Sequence, residues 1–428
     1  MATSATHLAI EAVWRIESAR IVAGVARMVR DIGLAEELAQ DALISALEHW
    51  PRDGVPDKPG AWLLTAARHR ALDWLRREKL MHCKLDSLGA DMEALGAHFT
   101  PDFVDALDAA RSDHIGDDML RLIFTACHPV LPAPARVALT LKILAGLSTA
   151  DIARGFLVAE TTMAQRIVRA KRTLSEAKVP FEIPQAQDLA TRLGSVLEVI
   201  YLVFNEGYTA TAGDDWMRPA LCEEALRLGR MLAELTPDEP EVHGLVSLME
   251  IQASRSAARI DAQGRPVLLL EQNRARWDWL LVRRGLNALA RSQALCSQHG
   301  LAAGPHALQA ALAACHARAH TADETDWAEI NSLYEQLHRI NPSPVVELNR
   351  AVAVGMAHGP AAALPLVDAL CEDPALASYQ WLPSVRGDLL SKLGRHEEAR
   401  IEFLKAASLA GNTRERELLL ARAQACQV

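Results

Sequence analysis

The sequence predicts an all-α, multi-domain protein, and three observations carry that expectation. Apolar residues recur with the period of an amphipathic helix along most of the chain. Period-two alternation is nearly absent and β-branched runs are short, so strands have little support. Breaks at Pro51–Gly60, 81–117, Pro180–Pro184, Gly213–Asp215, Gly300–Pro305, Asn341–Pro344 and Gly411 divide the chain into helical blocks. The length of 428 residues leaves room for several domains of about 100–200 residues each. Half the residues are hydrophobic, enough for large cores; 23 Gly and 20 Pro exclude a fibrous or disordered composition.

The first well-marked helix covers about 34–50. Its period buries Leu34, Leu38, Leu43, Leu47 and Trp50 and exposes Glu36, Glu37, Gln40, Asp41 and Glu48. Such a carboxylate-rich face suits a basic protein partner or plain solvation. The next helix, about 61–78, has a largely apolar stripe of Leu64, Arg68, Ala71 and Leu75. Its far side carries His69, Arg70, Asp73, Arg76 and Arg77, with Trp74 at the margin. A basic face with an aromatic edge can hold a phosphate backbone and stack unpaired bases. A solvated face with Trp74 in the core accounts for the same residues.

Residues 134–175 form the clearest motif. A helix over about 135–146 ends at Gly146, Ser148 caps a short helix, and a further helix runs from about Thr161 to Leu174. This is a helix-turn-helix pattern. Met163, Ile167, Ala170 and Leu174 share one face and must point inward. Thr161, Gln165, Val168, Arg169 and Arg172 lie opposite, flanked by Arg166 and Lys171. Arg pairs with guanine edges, Gln with adenine, and small residues approach a thymine methyl, so this face suits a major groove. An ordinary amphipathic helix with a solvated basic face shows the same spacing.

A net charge of −9 argues against nucleic acid only if it is evenly spread. It is not. Residues 1–80 are neutral, 81–117 carry −6, 118–180 carry +5, and 181–428 carry −8. A basic module therefore sits between an acidic connector and an acidic C-terminal half.

The N-terminal MATSATHLAI has no basic start followed by an apolar run, and no segment is apolar enough to span a membrane, so a cytoplasmic protein is expected. The seven cysteines (83, 127, 222, 296, 315, 371 and 426) are odd in number and lack a C-x-x-C pair, which suits reduced, mostly buried thiols.

In the C-terminal half, Gly387, Gly394, Ala399, Phe403 and Ala406 fit the small-and-large pattern of a tetratricopeptide helix pair. Ala362, Leu366, Ala369 and Pro374 give a similar set 37 residues earlier. Residues 185–330 are helical but fit that pattern poorly. Glu206, Asp214 and Asp215 could form an acid/base or metal cluster, against which stand capping and repeat packing. Cys315, His316 and His320, with His306 and Cys296 loosely placed, leave a zinc site as a weaker alternative. No phosphate loop or nucleophile elbow supports an enzyme. The expectation is no catalytic residue, no metal and no cofactor.

Two stretches together resemble a known family. DIGLAEELAQDALISALEHW (31–50) and PGAWLLTAARHRALDWLRR (59–77) resemble region 2 of sigma-70 family initiation factors of the extracytoplasmic-function class. LSTADIARGFLVAETTMAQRIVRAKRTL (147–174) resembles region 4.2 of the same class, in the expected order. Leu157 stands where many members have Gly in the turn, and Ala164-Gln165 replaces a frequent Lys-Ser, which implies a different promoter preference. The C-terminal half resembles the extension of a subgroup with tetratricopeptide-like repeats, through YLVFNEGY (201–208), GDDW (213–216) and PSPVVELNRAVAV (342–354).

The resemblance implies region 2 at 1–80, an acidic linker at 81–117, region 4 at 118–180 and a regulatory extension at 185–428. It implies that Glu36, Glu37, Gln40 and Asp41 dock on core RNA polymerase. The loop 51–60 would rim a pocket for an unstacked base of the −10 element, with Arg68, Arg70, Trp74, Arg76 and Arg77 along the strand. Thr161, Thr162, Gln165, Arg166 and Arg169 would read the −35 element, with Lys171 and Arg172 on phosphate. The linker would thread the polymerase's nucleic-acid channel or act as a plain tether. The extension would contact a peptide, a protein partner or the chain's own sigma modules, in place of a separate anti-sigma protein. The alternative is a stand-alone helix-turn-helix regulator with a repeat sensor domain.

Overall fold

The computed structural model describes residues 2–86, 115–156, 158–209, 217–261, 266–411 and 413–426. Most of the acidic linker, the GDDW turn with Asp214 and Asp215, and Leu157 lie outside them. The described residues are helical throughout; their β content is an isolated antiparallel bridge between Ile260 and Pro266. The chain divides into two compact units, Met1–Val199 and Ile200–Val428.

The first unit opens with α1 (Ala2–Val29), α2 (Ile32–Asp53) and α3 (Pro59–Asp86), which pack on one another. Asp31 caps α2, its side chain accepting from the Leu34 amide at 2.9 Å. Pro51 sits in the last turn of α2 without stopping it; Gly54, at φ +86, ends it. The break expected at 51–60 therefore narrows to the residues between Asp53 and Pro59.

The buried stripes of α2 and α3 differ from those expected. On α2 the buried residues include Ala35, Glu36, Ala39, Ala42 and Ala46, while Leu34 and Leu43 are half-buried and Leu47 is 39% exposed. Leu38 and Trp50 are buried as expected; the alanines let α1 and α3 approach closely, and Leu34, Leu43 and Leu47 lie at the margins. On α3 the buried positions are Leu63, Ala67 and Ala71, which turns Arg68 to the margin. A guanidinium at the centre of that face would be desolvated, at a cost no apolar neighbour could offset.

Four helices follow: α4 (Ile115–Ala126), α5 (Ala133–Ile143), α6 (Thr149–Gly155) and α7 (Glu160–Glu176). Asp118 of α4 is buried, accepts from Arg121 at 2.7 Å and lies 3.6 Å from Arg27 of α1. Ser148 caps α6, its hydroxyl accepting from the Asp151 amide at 3.1 Å. Met163, Ile167, Ala170 and Leu174 are the buried residues of α7, as their spacing predicts. The first half of α8 (Ala186–Tyr208) is tied to α4 and α5. Arg192 donates to the Phe124 carbonyl at 2.9 Å, Ser195 donates to that of Cys127 at 2.6 Å, and Arg136 pairs with Glu198 at 3.0 Å.

In the second unit each helix packs on the next: α9 (Pro219–Leu235), α10 (Pro240–Ala253), α11 (Trp279–His299), α12 (Pro305–Arg318), α13 (Trp327–Ile340), α14 (Pro344–His358), α15 (Pro360–Leu370), α16 (Trp381–Lys392), α17 (His396–Leu409) and α18 (Thr413–Ala425). Five of them begin with Pro, where the missing amide hydrogen costs no helical bond.

The YLVFNEGY stretch is a structural knot. Glu206 pairs with Arg218, and a Cβ on Gly207 would lie 2.6 Å from the Cys222 amide nitrogen, so only Gly fits. The Arg259 guanidinium stacks 3.5 Å from the Tyr208 ring centroid and donates to Thr209 Oγ1 at 2.9 Å.

Further on, Ala399, Phe403 and Ala406 are fully buried, and Gly387 lies under the Phe403 ring. The earlier set is out of register: Ala363, Leu364 and Val367 are buried, whereas Ala362 and Ala369 are exposed. α15 is eleven residues long and carries Pro365 in its interior. The 37-residue spacing thus does not return to an equivalent buried face.

Candidate nucleic-acid interface

The buried stripe of α7 fixes which residues face outward. Thr161, Thr162, Gln165, Arg169 and Arg172 are exposed, and Arg166 is half-buried. Val168, 62% exposed, sits among them. The surface therefore offers amide, guanidinium, hydroxyl and methyl groups together, the set that base edges require. Arg172 is held by Glu176 at 2.6 Å, which raises its pKa above the ordinary arginine value.

Lys171 points the other way. Its Nζ lies 2.5 Å from Oε2 of Glu36 on α2, and the Gln40 side-chain amide donates to Oε1 of Glu36 at 3.0 Å. Glu36 is 5% exposed, not on an open face as its spacing suggested. A carboxylate tolerates burial when a cation and a hydrogen-bond donor satisfy it, and both are present. Glu37, Gln40 and Asp41 remain exposed. Of the four docking residues, Glu36 alone is covered, through its contact with Lys171 of α7.

The residues assigned to the −10 strand also separate. Arg76 and Arg77 are exposed, with Asp73 3.3 Å from Arg76. Arg70 donates to Ser45 Oγ on α2. Arg68 is half-buried beside α1; burial and the neighbouring Arg27 lower its pKa. Trp74 is half-buried. Trp62 meets Trp50 edge to face at 5.5 Å, fixing the start of α3 against the end of α2. Where the loop joins α3, a cavity of about 390 Å³ is lined by Lys58, Pro59, Gly60 and Ala61, with Val13, Ile16 and Glu17 of α1.

Two contacts escaped sequence reasoning, Lys171–Glu36 and Arg27–Asp118. Each joins distant segments, and no local spacing signals them. Among the described residues no group of three or more His, Cys, Asp or Glu side chains could hold a metal.

Comparison with known proteins agrees with this geometry. Residues 16–80 match the model for sigma-70 region 2, and residues 121–174 the model for sigma-70 region 4. Residues 192–293 match a family of unknown function, DUF6596. An uncharacterized protein, R00370, of Rhizobium meliloti is 45% identical over 390 residues, covering 91% of this chain and 89% of its own length. The chain carries regions 2 and 4 of the sigma-70 family. The probable sigma factor SigI of Mycobacterium tuberculosis is 28% identical over 181 residues, 42% of this chain and 59% of SigI. SigK of Mycobacterium ulcerans is 29% identical over 159 residues, 36% of this chain and 78% of SigK. The residues matched to regions 2 and 4 include the helices that carry α2's carboxylates and α7's basic face. No helix among the described residues is long and apolar enough to cross a membrane.

Proposed function

We propose that this sigma factor directs core RNA polymerase to a specific set of promoters. The observation that carries the reading is α7: four inward apolar residues present an outward face of Thr161, Thr162, Gln165 and Arg169 behind a capped helix-turn-helix. In this reading those residues and Arg166 meet base edges of the −35 element, and Arg172 meets phosphate. Glu37, Gln40 and Asp41, exposed on α2, make the first contact with the polymerase; Glu36 joins when α7 withdraws. Arg76 and Arg77 hold the −10 strand, and the cavity between Lys58–Ala61 and α1 takes an unstacked base. Unstacking costs a few kcal/mol, so a preformed pocket lowers the barrier to opening.

The protein acts by binding rather than by catalysis, works in the cytoplasm and needs no cofactor. Its second unit regulates the factor through protein contacts on a helical surface, a role that tetratricopeptide-like packing would suit. Co-purification tests the reading. A sigma factor co-elutes with core RNA polymerase and binds promoter duplex weakly alone; a stand-alone regulator binds duplex without polymerase. Deleting residues 200–428 and assaying transcription tests regulation, and unchanged activity and control would count against it.

A further inference from the structure

We infer that the second unit holds a docking groove for an acidic peptide segment, in which Trp279 and its apolar neighbours take one apolar side chain while Arg283 and Arg318 take the carboxylates beside it. The inference rests on the reading of that unit as a protein-contact module and supplies the chemistry of its partner.

A cavity of about 320 Å³ lies where the N-terminal half of α11 meets the C-terminal end of α12. Trp279, Val282, Leu286 and Ala317 give it an apolar floor, and Arg283, Asn287 and Arg318 stand exposed around it. Trp277, two residues earlier, fills the core at 3% exposure, whereas Trp279 is 46% exposed. The volume is at the low end of ligand sites, enough for one large side chain.

The cations give the second observation. Arg283 and Arg318 have no ion pair among the described residues. In the same unit Arg227, Arg230, Arg291 and Arg386 each hold a carboxylate within 3.4 Å. No carboxylate lines the cavity, and α11 carries three arginines and no Asp or Glu. Two guanidiniums left unpaired beside an exposed Trp are the side-chain types that most often carry interface energy. The Asn287 amide can donate to and accept from an extended main chain. Charge also selects the class of partner. A nucleic acid presents a long row of phosphates and meets the −8 of residues 181–428. A short acidic segment meets only the local cluster, because charges beyond about 8 Å are screened at physiological salt.

The test presents the full chain to a displayed library of random dodecapeptides. The comparison protein is the full chain with Arg283→Glu and Arg318→Glu together; both positions are exposed and unpaired, and circular dichroism checks that the fold is kept. Peptides selected on wild type are expected to carry Asp and Glu around an apolar residue. They should bind the double variant about tenfold or more weakly, because both rim charges turn repulsive. Trp279→Ala should weaken them as well. Selected peptides without an acidic excess, or with equal affinity for the double variant, overturn the groove. Oligodeoxythymidine is measured in parallel, and binding that disappears in the same double variant overturns the peptide in favour of nucleic acid.

A selected peptide is then added to run-off transcription. A yield that changes with the wild-type chain but not with the double variant is expected. An unchanged yield with peptide binding retained overturns the regulatory role and leaves the groove standing. A library that yields no such peptide overturns the groove and leaves the regulatory reading to the deletion of residues 200–428.

Discussion

Lys171 of the helix-turn-helix module and Glu36 of α2 lie 2.5 Å apart, although the family resemblance implies different partners for them. A residue expected on a DNA phosphate and a residue expected on a polymerase satisfy each other instead.

The pair has a stability consequence. Lys171→Met keeps the stem and removes the charge, leaving Glu36 buried alone. Breaking a buried pair by removing one partner costs about 3–5 kcal/mol, an upper bound here because α7 can part from α2. Urea unfolding should show a lower midpoint for Lys171→Met and a near-normal one for Lys171→Arg. Equal midpoints for all three chains contradict the account.

Arg169 and Arg172 should respond differently to truncation. If Arg169 grips a base edge with two hydrogen bonds, Arg169→Ala weakens −35 recognition by about 1–3 kcal/mol and relaxes discrimination at one position. Arg172→Ala should weaken all promoters alike and flatten the salt dependence. Transcription from a panel of −35 variants separates the two; unchanged discrimination with Arg169→Ala removes its role as a reader.

Gly387 is specified by packing. A Cβ there would lie 3.0 Å from the Phe403 ring and 3.2 Å from the Ala399 carbonyl. Gly387→Ala should therefore cost about 1–3 kcal/mol through overpacking. Adding Phe403→Leu should recover part of that loss, because Phe403 itself fills the space. Thermal unfolding of the single and double variants gives the coupling, and strictly additive losses would refute the contact as its cause.

His316 gives the second unit an acid sensitivity. Burial, then Arg255 and Arg274, push its pKa from 6.5 down to about 4, and its ring meets Trp327 edge to face at 5.3 Å. Below pH 6.5 the unfolded chain takes up a proton that the folded chain refuses until about pH 4. Stability is therefore full above pH 6.5 and falls as the pH drops through that window, by at most about 3 kcal/mol. His316→Phe should flatten the unfolding midpoint between pH 4 and 6.5. An equally steep profile in that variant would place the sensitivity elsewhere.

Much of this was legible in the sequence, for physical reasons that differ by element. The stripe of α7 was fully readable because its apolar residues Met163, Ile167, Ala170 and Leu174 recur at helical spacing between polar neighbours. On α2 the same logic placed Leu38 and Trp50 but misplaced Leu47, because alanines form most of the contact face. On α3 it centred the stripe on Leu64, Arg68, Ala71 and Leu75, whereas packing buries Leu63, Ala67 and Ala71 and leaves Arg68 at the margin. The repeat at 362–374 failed because small residues mark close approach only once the helix direction is known. Glu36 could not be placed at all without its partner, since burial of a carboxylate depends on a distant cation.

The most direct test of the central claim is run-off transcription with core RNA polymerase from the DNA upstream of this protein's own coding sequence. The account predicts a discrete transcript that requires the protein and is weakened by Arg169→Ala. No transcript above core polymerase alone, with the protein instead binding that duplex tightly in the absence of polymerase, would contradict it.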